Sequence, residues 1–199
     1  MNLIGNNCTS AQVYVQKNKQ FNNPFMWVII EDESFLKLIT DFDRIDFTKR
    51  ELTRARIKTV KNRDVYAIRI DGKLTITFPH HVKDENYKTP QRCESDFTGW
   101  DVRYFDMDNY ILEKYDARVR RMLDSKEEPM FLLDTSISSK KTDSIFENLK
   151  GKKKLMCVFM NNYKPKTDIK RINIGKASTP TRAKKIIEEL GDYIDGKEN

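Results

Sequence analysis

Histidine is almost missing from this chain: 199 residues contain two, and they are adjacent, His80 and His81. Any chemistry that couples an imidazole to another side chain must pass through that dipeptide. Neighbours on a strand diverge, and no cysteine or carboxylate stands beside them at zinc-like spacing, so no metal site is expected. Long apolar runs are missing too. No span approaches the ~20 apolar residues of a membrane helix, and no charged region leads into a run of signal-peptide length, so the expectation is a cytoplasmic protein. Cysteine is scarce, with Cys8, Cys93 and Cys157 as the full set. In such a chain they read as thiols rather than as a disulfide framework. There is no arginine-rich arm, zinc-knuckle spacing or nucleic-acid motif, and nucleic acid is not expected as a partner. Internal repeats and low-complexity segments are also absent.

What is there is charge and periodicity. Charged residues make up 34% of the chain and hydrophobic residues 38%, with a formal charge of +7. The basic excess reads as a solvated surface or as attraction for an anionic small molecule; peripheral contact with an anionic membrane face stays open. The apolar residues cluster periodically, which argues against disorder. The length suits one core, and a single domain over 1–199 is the default.

The periodic segments predict an order of elements. A helix follows Cys8, with Ala11, Tyr14 and Val15 on one face, and fades near Asn18. After Pro24, the run Phe25-Met26-Trp27-Val28-Ile29-Ile30 reads as a buried strand. Asp32 can cap a second helix whose inner face is Phe35, Leu38, Ile39 and Phe42. Val65 to Ile70 and Lys73 to Phe78 flank Asp71-Gly72, a dipeptide suited to a type I′ hairpin turn, and the second strand runs directly into Pro79-His80-His81. Residues 83–107 are polar and read as a long loop excursion, with Cys93 inside it and Trp100 as an anchor. A third helix, roughly Asn109 to Asp124, turns Leu112, Tyr115, Val119 and Met122 inward. Strand and helix then alternate: a strand from Met130 to Leu133, a helix capped by Thr142 with Ile145, Phe146 and Leu149, a buried strand from Leu155 to Met160 holding Cys157, and a short strand from Arg171 to Ile174. A last helix starts at Thr179-Pro180, with Ala183, Ile186, Ile187 and Leu190 inward, and ends near Gly191. Strand–helix–strand of this length implies a parallel crossover. The predicted fold is α/β with a mixed sheet, a Cys-bearing N-terminal helix and one β-hairpin.

Cys8, in Gly5-Asn6-Asn7-Cys8-Thr9-Ser10, carries the chemistry. At a helix N-terminus, backbone N–H groups without intrahelical acceptors and the helix dipole favour an anion, and so favour a thiolate nucleophile. Such chemistry also needs a proton carrier and donors for an oxyanion. His80 or His81 could supply the first, and the Cys8 N–H or the amides of Asn6 and Asn7 the second. Strand alternation lets at most one imidazole face Cys8. Asp134, at the carboxyl end of a strand, is the candidate to orient that imidazole. Arg118 and Arg121, three apart on one helix side, could clamp a phosphate or carboxylate, although Arg118-Val119-Arg120-Arg121 also reads as a solvated helix face. Against the catalytic role stands the ordinary behaviour of cysteine as a small buried hydrophobe, with Asn7 as a plain helix cap.

Ile4-Gly5-Asn6-Asn7-Cys8, Asn23-Pro24-Phe25-Met26-Trp27, Phe78-Pro79-His80, and Lys114-Tyr115 with Arg118 and Arg121 form an ordered set. That set resembles two related bacterial families, one described as putative papain-like cysteine peptidases and the other associated with exopolysaccharide or capsule biosynthesis. The similarity spans about residues 3 to 135. It implies Cys8 as nucleophile and His80 as its partner, with His81 where one family often has Asp. It implies a hydrolase or acyltransferase of surface-polysaccharide biosynthesis, an anionic or saccharide substrate, and Trp27 and His81 joining Arg118 and Arg121 in substrate binding. Met26 stands where the peptidase-like family usually has Asp. A looser similarity, limited to the Gly-Asn-Cys-type start, is to a capsule-biosynthesis enzyme family thought to use coenzyme A, which implies a coenzyme A thioester as acyl donor. The alternative is an accessory binding protein of the same pathway with Cys8 structural.

Overall fold

The computed structural model describes residues 2–57, 63–82, 91–94, 100–104, 107–135, 154–159, 170–173 and 177–195. In chain order the elements are β1 (Leu3–Gly5), α1 (Cys8–Gln16), α2 (Asp32–Asp41), β2 (Arg50–Ile57), β3 (Arg63–Ile70), β4 (Leu74–Val82), β5 (Gln91–Glu94), β6 (Trp100–Tyr104), α3 (Met107–Asp124), β7 (Met130–Thr135), β8 (Lys154–Phe159), β9 (Lys170–Asn173) and α4 (Thr179–Ile194). The helix expected from Thr142, with Ile145, Phe146 and Leu149, lies outside the described residues.

The fold is α/β, and its parallel and antiparallel strands are partitioned. One sheet is parallel with strand order β1-β7-β8-β9, a second is antiparallel with order β2-β3-β4, and among the described residues β5 pairs only with β6. Side-chain alternation in β1 and β7 divides the core between the two faces of the parallel sheet. Leu3, Met130 and Leu132 meet Ala11 and Tyr14 of α1 and Ala183, Ile186 and Leu190 of α4. Ile4, Phe131 and Leu133 meet Phe35, Leu38 and Ile39 of α2, Tyr115, Val119 and Met122 of α3, and Ile68, Ile76 and Phe78 of the antiparallel sheet. Phe131 is the contact point on that side, edge-on to both Phe35 and Phe42 at ring distances of 6.4 and 5.3 Å. Such aromatic pairs contribute about 0.5–1.5 kcal/mol beyond burial. No helix among the described residues is long and apolar enough to cross a membrane.

The hairpin turn has the backbone that its sequence demands, with Asp71 at φ 50° and Gly72 at φ 64°. The strand expected over Phe25 to Ile30 does not form. Pro24 to Trp27 is a turn, and only Ile29 makes a bridge, with Thr77. Side chains satisfy this backbone instead. The buried Asn23 amide accepts from the Phe25 N–H at 3.1 Å and donates to Leu3 O at 3.1 Å, which also covers the open edge of β1. Arg118 donates to Met26 O at 3.1 Å.

Four other expectations change. Strand β2 was not expected; its alternating arginines hide a weak apolar face. The stretch 83–107 contains β5 and β6, so Cys93 stands in a strand. Asp32 lies inside the first turn of α2 with Glu31 at the cap position, and no side-chain cap bond forms. The last helix passes Gly191 to reach Ile194, with a kink at Leu190 rather than an end.

Candidate functional site

Cys8 is the first residue of α1, at the carboxyl end of β1, and it is half-buried and outside any disulfide. Asn7 ends the strand-like backbone at φ −153° and ψ −173°, and its Oδ1 accepts the Thr9 N–H at 2.9 Å. That is a side-chain N-cap whose bond runs from the residue after the thiol to the residue before it. No acidic residue occupies the first turn, so nothing there offsets the positive end of the helix dipole. Gly5 makes the tight entry feasible: a Cβ at this position would lie 2.6 Å from Ser10 Oγ and 2.7 Å from Ser10 Cβ.

Asp134 and Asn6 build the frame around this turn. The Asn6 amide is 4% exposed. Its Oδ1 accepts from the Asp134 N–H at 2.9 Å, and its Nδ2 donates to Asp134 O at 3.1 Å and to Asp32 Oδ1 at 3.0 Å. Both amide protons are thus committed, which removes Asn6 from the oxyanion donors. Asn7 Nδ2 reaches Asp134 O at 3.4 Å, so Asn7 and the Cys8 N–H remain as the candidate donors.

The Asp134 carboxylate accepts from Thr9 Oγ1 at 2.5 Å and from Arg182 Nη1 at 3.1 Å. Its described bonds therefore reach across β7 to α1 and α4. The Arg182 charge beside it keeps the pair neutral, so the buried carboxylate brings little net negative field to the thiol. Thr9, Asp32 and Arg182 carried no distinguishing signal in the sequence, because each acts through a partner at least 26 residues away.

The histidines enter from β4. Tyr66 pairs with Phe78, and the next residue of β3, Val65, pairs with Val82, so Pro79, His80 and His81 form a bulge. Proline has no N–H to give a ladder, and bulges re-aim side chains beside functional sites. The bulge falls on both histidines, His80 and His81. Their side chains lie outside the described residues, and the expected sulfur–imidazole pairing lies there with them.

The backbones are joined at one junction. Ile30 N donates to Asn6 O at 2.8 Å, and Ile29 and Thr77 exchange both backbone bonds at 2.8 and 3.0 Å. Because that bridge is antiparallel, β4 leaves Thr77 alongside Val28 and Trp27.

Trp27 and Arg118 meet in a cleft that Phe78, Tyr110, Lys114 and Tyr115 also line. Trp27 is held at φ 60°, a backbone region that a bulky side chain rarely adopts. Arg118 is not on a solvated helix face: it is 3% exposed, with its guanidinium 5.2 Å from the Phe21 ring. Arg121 is half-buried and is not among the described residues lining the cleft, which pairs Arg118 with Lys114 instead.

Comparison with protein-family models and with curated proteins finds no match to this chain.

Proposed function

We propose that the protein is a cysteine-nucleophile acyl-transfer enzyme, a hydrolase or acyltransferase. One observation carries this reading: the thiol stands at the first position of a side-chain-capped helix, half-buried, at the carboxyl end of a parallel strand. Such strand ends are where α/β proteins gather their ligands. The Cys8 sulfur would attack an acyl carbonyl carbon, forming an S–C bond while its proton passes to His80. The Cys8 N–H and the Asn7 amide would hold the oxyanion. The leaving group would depart with the proton from His80. Water or a sugar hydroxyl would then attack the thioester, return a proton to His80, and restore the thiol. Asn6, Thr9, Asp134 and Arg182 would position the turn rather than react. The resemblance adds a role in bacterial surface-polysaccharide biosynthesis, and the looser one a coenzyme A thioester as a donor substrate.

A second reading, an accessory binding protein in which Cys8 is structural, is favoured by the direction of β4. At the antiparallel Ile29–Thr77 bridge the strand continues from Thr77 past Val28, while Asn6 is bonded on the other side, at Ile30.

The rate of iodoacetamide alkylation against pH separates the two. An activated Cys8 reacts with a midpoint well below the ~8.5 of an ordinary thiol, and His80→Ala moves that midpoint upward. A midpoint at or above the ordinary value, unmoved in His80→Ala, leaves the accessory reading.

A further inference from the structure

We infer that Arg182, on α4, is a positioning residue for the thiol: its guanidinium offsets the buried Asp134 carboxylate and so sets the charge that Cys8 meets. This role rests on the reading of Cys8 as a thiolate nucleophile.

Both neighbours of the thiol are tied to Asp134. Asn7, before Cys8, donates its amide to Asp134 O at 3.4 Å, and Thr9, after it, donates its hydroxyl to the carboxylate at 2.5 Å. Standard backbone spacing then keeps the carboxylate within about 9 Å of the Cys8 Cα. The Asp134 side chain is fully buried, where salt screens a charge poorly. Left alone, a carboxylate in that place would act on a thiolate as a like charge and hold the thiol protonated.

Arg182 removes that obstacle. Its Nη1 lies 3.1 and 3.0 Å from the two carboxylate oxygens, and its Nη2 donates to Thr179 Oγ1 at 3.4 Å, which steadies the guanidinium on its own helix. Among the described residues the other charges at this turn are few. Helix α1 carries none, β7 carries Asp134 alone, and α2 contributes Asp32 through its bond to the Asn6 amide. The histidines of β4 are the remaining titratable groups of the proposed chemistry. Asp32 and both histidines stay unchanged in every comparison below, so differences between variants report the Asp134–Arg182 pair.

Iodoacetamide alkylation of the full chain against pH, followed on the Cys8 peptide by mass spectrometry, tests this. Arg182→Gln should raise the midpoint by about one pH unit, a tenfold loss of thiolate, while Arg182→Lys should stay near the parent. Asp134→Asn leaves the guanidinium without its counter-charge and should lower the midpoint. Adding Arg182→Gln to it makes the pair neutral again and should bring the midpoint back up. Neither of these last two variants leaves a buried carboxylate unpaired, and Arg182 is 13% exposed against 0% for Asp134. They therefore decide the matter even if Arg182→Gln alone fails to fold. A merely structural Arg182 would change melting temperatures without ordering the midpoints by charge. Equal midpoints in Asp134→Asn and the double variant, or an unmoved midpoint in folded Arg182→Gln, would overturn the inference. The parent's own midpoint judges the nucleophile reading and the differences between variants judge the role of Arg182, so the two fail separately.

Discussion

The Thr9 hydroxyl donates to the Asp134 carboxylate at 2.5 Å, tying the second residue of the cysteine-bearing helix to the end of the neighbouring strand. Both residues are buried, and Arg182 approaches the same carboxylate from α4. The bond fixes where α1 starts, and therefore where the sulfur sits.

Thr9→Val removes a hydrogen bond to a charged group and should cost about 1.5–3 kcal/mol. Asp134→Ala strips the acceptor from Thr9 and Arg182 together and should cost more. The double variant should be less destabilised than the sum of the two, because the residues share one contact. Urea or thermal melts of the three variants measure this. Additive losses would mean that the Thr9–Asp134 bond contributes nothing of its own.

Gly5→Ala drives a Cβ into Ser10 and should destabilise the fold by about 1–3 kcal/mol through overpacking. Ser10→Gly removes both atoms that the new methyl would meet. Gly5→Ala/Ser10→Gly should therefore recover part of the loss, a compensation visible as a rise in Tm over the single Gly5→Ala variant.

Asn7 allows the cap to be separated from the charge. Asn7→Ala loses the bond to the Thr9 N–H and should cost about 1 kcal/mol. Asn7→Asp keeps an acceptor at the same place but sets a negative charge beside the thiol. Its stability should stay near that of the parent while the alkylation midpoint of Cys8 rises. An unchanged midpoint in Asn7→Asp would show that the sulfur does not sense the helix terminus.

Two tyrosines predict a loss of stability in alkali. Burial pushes the Tyr14 and Tyr115 phenols up, well above their ordinary value of 10.0, against the smaller opposing effect of the Leu3 N–H on Tyr14. A group whose folded pKa is raised contributes stability that is whole below the unfolded pKa and is lost as pH rises toward the folded value. Above about pH 10 each phenol should cost roughly 1.4 kcal/mol per pH unit. Tyr14→Phe should flatten that slope, while losing about 1 kcal/mol near neutrality with its bonds to Leu3 N and Asn22. Denaturant melts between pH 8 and about 11.5 read the slope directly.

Where the sequence was legible, one local rule was enough. Asp71-Gly72 specified its turn through two positive φ values, and α1 opened at Cys8 because Asn7 caps it. The failures came where distant residues supplied the missing bonds. Phe25 to Ile30 has the composition of a strand, but Asn23 and Arg118 take its backbone groups and Trp27 turns it out of extended geometry. Strand β2 pairs with β3 along its whole length although Leu52, Ala55 and Ile57 give it little apolar periodicity. The frame at Asp134 was half legible: the strand end was readable, but its described partners, Thr9 and Arg182, join it only through the fold.

Strand β1 is three residues long, and its pairing sets Leu3 beside Met130. Asp134 and Arg182, which hold the start of the cysteine-bearing helix, are synthesised long after Cys8. Until β1 and β7 pair, the frame around the thiol is not assembled and the thiol has ordinary reactivity. On the proposed catalytic reading, newly made protein would keep Cys8 dormant, and the onset of fast alkylation would time the closing of the fold.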